Sequence, residues 1–172
     1  MKFSDIPQLT KRGIWEVQYE FKAFINHIKD ELEEGLTLNP DFQRGHVWTE
    51  EQQVAFIEYY LMGGNIGVIY FNAPHWPDVA KDESYVCVDG LQRITAFFRF
   101  YNNEIKAFGH YFKEFEGRLG LSHCIHLNVN NLKTRREVLK WYLEMNRGGT
   151  PHTKEELNRV RGLLQEEVNK TK

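Results

Sequence analysis

Asp89, Gly90, Gln92 and Arg93 gather an acid, an unhindered backbone unit, an amide and a guanidinium in the run Val-Asp-Gly-Leu-Gln-Arg-Ile-Thr at 88–95. The chemistry open to that set is the holding of an anion. A guanidinium grips phosphate or carboxylate in a bidentate fork, and an amide orients an oxygen. Gly90 lets a ligand come close to the backbone. Asp89 is the odd member, because a carboxylate repels an anionic ligand unless a cation bridges the two or the carboxylate acts as a base. A purely structural reading competes: Asp89 followed by Gln92 three residues later is a capping-box pattern, in which the acid caps a helix and the amide reaches back. Local sequence alone favours the cap, and the two readings are compatible.

A second group of polar side chains lies at 39–48, Asn-Pro-Asp-Phe-Gln-Arg-Gly-His-Val-Trp. Gln43, Arg44 and His46 are crowded between Phe42 and Trp48, a composition that suits a rigid loop aiming polar groups inward from apolar anchors. Phe42 and Trp48 read as those anchors rather than as platforms for stacked bases. A third block, Met-Asn-Arg-Gly-Gly-Thr-Pro at 145–151, leads to Glu156 and Leu157.

In their order and spacing the three blocks resemble the N-terminal domain of GmrSD-type modification-dependent restriction systems, a domain similar to the ParB and sulfiredoxin superfamily. The resemblance runs from the first strand to the C-terminal helix, and an ordered set of blocks is far more specific than one short motif. It implies an α+β, ParB/sulfiredoxin-like domain with a small mixed sheet and flanking helices. It also implies a module that binds and hydrolyses a nucleoside triphosphate with Mg²⁺. The family's Asp-Gly-Gln-Gln-Arg phosphate signature falls on Asp89, Gly90, Gln92 and Arg93, and its Phe-Gln-Arg element falls on Gln43 and Arg44. The block at 145–151 is implied to border the nucleotide, which makes Asn146 and Arg147 candidates for ligand contact. In that reading Arg93 and the backbone amides after Asp89 hold phosphates. Arg44 neutralises charge on the transferred phosphoryl group, Gln43 or Gln92 orients the attacking water, and Asp89 binds Mg²⁺ or acts as base.

Two departures bear on this reading. Leu91 stands where the signature has its first Gln, so one polar group is gone, which matters only if that Gln touched phosphate or water. Full-length family members also carry a C-terminal nuclease domain. At 172 residues the chain is expected to be a single domain, 1–172, without it, so DNA cleavage would need a separate nuclease or defence protein as partner, or a different use of this chain. The competing function is a non-catalytic DNA-binding or regulatory module with the same fold. A stand-alone nuclease is weaker, since no paired-carboxylate or HNH signature is present.

The elements that must position these groups are legible in outline. Residues 85–88 form a β-branched, apolar run that reads as a buried strand, and a helix opens at once behind Asp89 and Gly90 with Ile94, Phe97, Phe98 and Tyr101 at helical spacing. A helix start presents unpaired N–H groups and the positive end of the macrodipole, which suits phosphate. Thr49 and Gln52 form a capping box for a helix with Val54, Ile57 and Leu61 as its buried stripe. Strands are expected at 15–19 and 67–71, short ones at 36–39, 104–108 and 111–115, and a half-buried one at 124–129. Helices are expected at 21–34, 134–145 and 153–168, with 72–84 a loop that serves as a lid or, by the simpler reading, a plain connection.

A chain that is 41% hydrophobic and 14% aromatic can bury a substantial core, since domains of about 150 residues bury roughly 70% of their unfolded surface. The net charge of −2 argues against a general polyanion binder. Lys133, Arg135, Arg136 and Lys140 can track a phosphate backbone, but a solvated helix face is the simpler reading. His123, Cys124 and His126 mimic a metal site, yet strand alternation puts Cys124 opposite both histidines. Glu156 with Thr153 completes a capping box, a reading preferred to nucleotide contact. Cys87 and Cys124 in apolar runs suggest reduced thiols in a cytoplasmic protein, and no secretory signal or membrane-spanning run is present in the sequence.

Overall fold

Four runs rich in β-branched and aromatic residues pair into one sheet in the computed structural model, which describes residues 2, 5–7, 9–10, 15–43, 45, 47–75, 85–120, 123–146 and 154–170. The strands are β1 (Trp15–Tyr19), β2 (Val68–Asn72), β3 (Val86–Asp89) and β4 (Ile125–Asn130), in the spatial order β1-β4-β2-β3. β4 runs antiparallel to β1 and parallel to β2, while β2 runs antiparallel to β3, so the sheet is mixed. Five helices accompany it among the described residues: α1 (Phe21–Glu33), α2 (Glu50–Leu61), α3 (Leu91–Tyr101), α4 (Arg135–Met145) and α5 (Lys154–Lys170). The protein is α+β, as expected.

Strand alternation divides the apolar side chains between two faces. Ile69, Phe71, Cys87, Ile125, Leu127 and Val129 join Phe24, Ile28, Ile57, Ile94 and Phe97 in a core beneath α1, α2 and α3. On the other face Tyr70, Val86 and Val88 meet Trp141, Tyr142, Leu139 and Val160 of α4 and α5. The side chain of Asn72, fully buried, donates to Leu132 O at 3.1 Å and accepts from Leu132 N at 2.9 Å, which ties the end of β2 to the lead-in of α4.

Thr49 caps α2 as read: its hydroxyl accepts from Gln52 N at 3.3 Å, and the Gln52 side chain accepts from Thr49 N at 2.9 Å. The buried face of α2 is nevertheless Gln53, Ile57 and Tyr60, with Val54 and Leu61 only partly covered. The reason is Arg99 of α3, which donates to Gln53 Oε1 at 2.8 Å and draws that polar residue inward. On α3, Phe98 and Tyr101 sit at the edge of the core, and Leu91, Ala96 and Phe100 take the buried places beside Ile94 and Phe97.

The short strands expected at 36–39, 104–108 and 111–115 shrink to less. Thr37 makes one parallel bridge to Val86, and Ala107 one antiparallel bridge to His110 around Phe108 and Gly109, both at positive φ. Phe112–Glu114 is a turn of 3-10 helix. Paired backbone partners, which the sequence does not display, decide between a strand and an isolated bridge. Of the 72–84 connection, 76–84 lie outside the described residues.

Candidate functional site

The junction of β3 and α3 is shaped by packing before any ligand is considered. Register between β2 and β3 slips where Tyr70 pairs with Asp89 but Phe71 pairs with Cys87, a bulge at Val88 of the kind that re-aims side chains. Gly90 follows at φ 138°, and a Cβ there would lie 2.6 Å from Ile69 Cγ2. Its lack of a side chain thus serves the close approach of α3 to β2.

Gly90, not Asp89, is the N-cap of α3, and no side chain caps that helix. The capping-box reading of Asp89 and Gln92 is therefore overturned, because each has a better partner. Asp89 Oδ2 accepts from Arg93 Nη2 at 2.9 Å, one helical turn on. Arg93 Nη1 donates to Ile66 O at 2.7 Å. The guanidinium side chain is only 14% exposed, whereas Asp89 is 54% exposed and faces solvent.

Gln92 turns to the other segment. Its Oε1 accepts from Val47 N at 3.0 Å and Trp48 N at 3.1 Å, and its Nε2 donates to Gly45 O at 3.2 Å. Gln43, 8% exposed, donates from Nε2 to Cys87 O at 2.5 Å. The two polar blocks therefore meet, and their amides are the fasteners. Between them lies the Cys87 thiol. Burial first, and the Asp89 carboxylate second, push it up to about 12 against the opposing pull of the Gln43 amide, Arg93 and the Leu91 N–H, so it stays protonated at neutral pH.

The 40–43 loop is gripped from its far side too. Phe42 is 2% exposed and meets Tyr142 of α4 in a T-shaped contact with centroids 5.2 Å apart. Arg159 of α5 donates to Gln43 O at 2.6 Å, and Arg135 of α4 places Nη2 2.8 and 2.7 Å from the two carboxylate oxygens of Asp41. Sequence reasoning missed Arg159 and read Arg135 only as part of a solvated basic face, not as the partner of Asp41. Neither is marked by spacing, since 116 and 94 residues separate them from their partners. Arg135 also lies 3.8 Å from Glu167, and Lys133 Nζ donates to Pro74 O, so half of the basic cluster at 133–140 is engaged within the protein.

Asp89, Gly90, Gln92, Arg93 and Gln43 thus come together at one mouth. Asn146 is the C-cap of α4, and its Nδ2 donates to Tyr142 O at 2.7 Å, on its own helix. Arg44 and Arg147 lie outside the described residues, as do His46 and the Thr153 half of the expected last capping box. Leu91 is 8% exposed, so the departure from the signature points into the protein. Trp48 is the expected anchor, its ring centroid 5.3 Å from that of Phe56. Among the described residues no three His, Cys, Asp or Glu gather in a group that could hold a metal ion. Both cysteines are free thiols, Cys87 buried and Cys124 partly so.

Among the described residues no helix is long and apolar enough to cross a membrane. No curated protein and no solved structure matches the chain. Residues 21–121, more than half of it, match the family described as the GmrSD restriction endonuclease, N-terminal domain. That stretch holds the Gln43 loop and the whole of β3 and α3, and stops short of α4 and α5.

Proposed function

The chain belongs to the GmrSD restriction endonuclease N-terminal domain family, and from that premise we propose that it serves a restriction or phage-defence system by binding a nucleoside triphosphate at the β3–α3 mouth. The observation that supports this reading is the joining of the two polar segments, in which Gln92 holds three backbone groups of the 45–48 loop against the start of α3. Arg93 and the first backbone amides of α3 take the phosphate oxygens, with the helix dipole behind them. Arg44 adds positive charge from the loop.

Asp89 suits Mg²⁺ as well as a base: it is the half-exposed carboxylate of the mouth, and one carboxylate together with phosphate oxygens is an ordinary Mg²⁺ donor set. The chemistry that ion supplies when bound is neutralisation of phosphate charge. Gln43 and Gln92 act as positioning residues, because their amides are committed to Cys87 O and to the loop backbone. Leu91 is buried, so its replacement of a Gln takes nothing from the mouth. The module works in the cytoplasm with a nuclease or another defence protein as its partner.

A thermal-shift screen of nucleotides with and without Mg²⁺ tests the proposal. Ligand at ~100 times its dissociation constant adds about 2.7 kcal/mol of stability. Arg93→Ala removes that shift while keeping the far-ultraviolet circular dichroism of the wild type. Arg93→Lys, which retains the charge but lacks the fork, weakens it. An unchanged nucleotide affinity in folded Arg93→Ala would falsify the assignment.

A second reading, binding without turnover, is favoured by the same committed amides, which leave neither Gln43 nor Gln92 wholly free to orient water. Steady phosphate release lost in Asp89→Ala selects the enzyme. Salt-sensitive DNA binding with no nucleotide effect selects a DNA-binding module.

A further inference from the structure

A pocket of about 670 Å³ opens between the start of α1 and the 112–119 segment, and it shares no residue with the Asp89 mouth. Its depth is aromatic. Phe21 and Phe100, each 1% exposed, lie at its base. Phe112 rises from them with its centroid 5.2 Å from Phe21 and 5.4 Å from Phe100, and Phe115 stands 5.9 Å from Phe100. Phe115 remains 41% exposed, a large apolar ring left at the opening.

The lip is cationic. Lys22, Lys113 and Arg118 line it, all exposed, and among the described residues none of the three has an ion-pair partner. Lys22 Nζ sits 5.7 Å from the Phe112 centroid, within cation–π range, which seats an ammonium over the aromatic wall. Two carboxylates share the lip. Glu20 is already engaged, accepting from Lys22 N at 3.0 Å as the N-cap of α1, and Glu116 is exposed on the 112–119 segment. Cations therefore outnumber acids over an apolar base.

We propose that this pocket binds a small molecule that joins a planar aromatic ring to an anionic group, the ring lying against Phe112 and Phe115 and the anion meeting Lys22, Lys113 and Arg118. The volume falls within the roughly 300–1,000 Å³ of small-molecule sites, which pair apolar walls with a few placed polar groups. Rings prefer edge-to-face and offset contacts of the kind these phenylalanines already make with one another. A wholly apolar guest leaves three cations unused. A nucleic-acid strand needs a continuous basic track, and here Glu116 interrupts it.

Two probes that differ in the anion alone test this: anilinonaphthalenesulfonate and its uncharged analogue phenylnaphthylamine. The sulfonate is expected to saturate a single site and to shift the backbone amide resonances of Lys22, Lys113, Gly117 and Arg118. Replacing two of the three exposed cations in Lys113→Glu/Arg118→Glu weakens sulfonate binding by about tenfold or more and leaves the uncharged analogue unaffected. The milder Arg118→Gln moves sulfonate affinity in the same direction by less. Equal sulfonate affinity in wild type and double variant, or shifts confined to another face, overturns the proposal. Either result leaves the nucleotide reading untouched, because Arg93 and Asp89 take no part.

Discussion

Glu31 meets His27 Nδ1 with one carboxylate oxygen at 3.5 Å and leaves the other buried with no hydrogen-bond partner among the described residues. Burial first, then Glu34 and Asp30, raise the Glu31 carboxyl above its ordinary 4.5. Burial lowers His27 below 6.5 against the pull of Asp30. For each side chain the cost of burying charge exceeds what a partner returns. The sign follows from linkage. Glu31 contributes fully to stability below the unfolded-state value, and that contribution is lost as pH rises through the raised native value. His27 acts in the opposite sense: its charged form weakens the fold at low pH, and the penalty lifts as pH rises through the lowered native value toward 6.5. Glu31→Gln is therefore expected to be more stable than wild type at about pH 7, with the difference vanishing near pH 4. Thermal melts across pH measure it, and a variant less stable at neutral pH would mean that the pairing with His27 outweighs desolvation.

The start of α3 and the loop before α2 behave as one unit, because a single side chain bridges them. Gln92 satisfies Val47 N, Trp48 N and Gly45 O, and Gln53 of α2 donates to Trp48 O at 3.1 Å. Gln92→Leu keeps the volume and removes those bonds, stranding backbone groups that then need water. It is expected to cost about 1–3 kcal/mol and to speed amide hydrogen exchange at Val47 and Trp48. Unaltered exchange at both amides would show that Phe42 and Arg159 hold the loop by themselves. At this scale the sequence was readable where partners are local. The Thr49 and Gln52 cap came through because its two members are three residues apart on one turn. The matching signal at Asp89 and Gln92 failed because a loop about 45 residues upstream offered Gln92 three backbone partners at once.

Across the whole molecule the sheet separates two cores, and Phe42 belongs to the second although its loop serves the mouth beside the first. α4 and α5 hold that loop through Tyr142, Arg135 and Arg159, yet they fall beyond the 21–121 stretch matched by the family. Phe42→Ala is expected to destabilise the fold by about 3–5 kcal/mol, read from urea unfolding. A loss below about 1 kcal/mol, as at an ordinary surface site, would show that the C-terminal helices are anchored without that ring.

The residue types alone established that an acid, amides and guanidiniums cluster in two blocks, that β3 precedes a helix at Gly90, and that the chain is α+β, since each depends on composition and short-range period. Tertiary structure alone decided what those groups do with one another. Asp89 is answered by Arg93, Gln43 and Gln92 fasten backbone, and Arg135 and Arg159 return from the far end of the chain to grip the loop. Hydrogen bonds between residues so distant in sequence leave no periodic trace, because their geometry exists only once the sheet has brought the segments side by side.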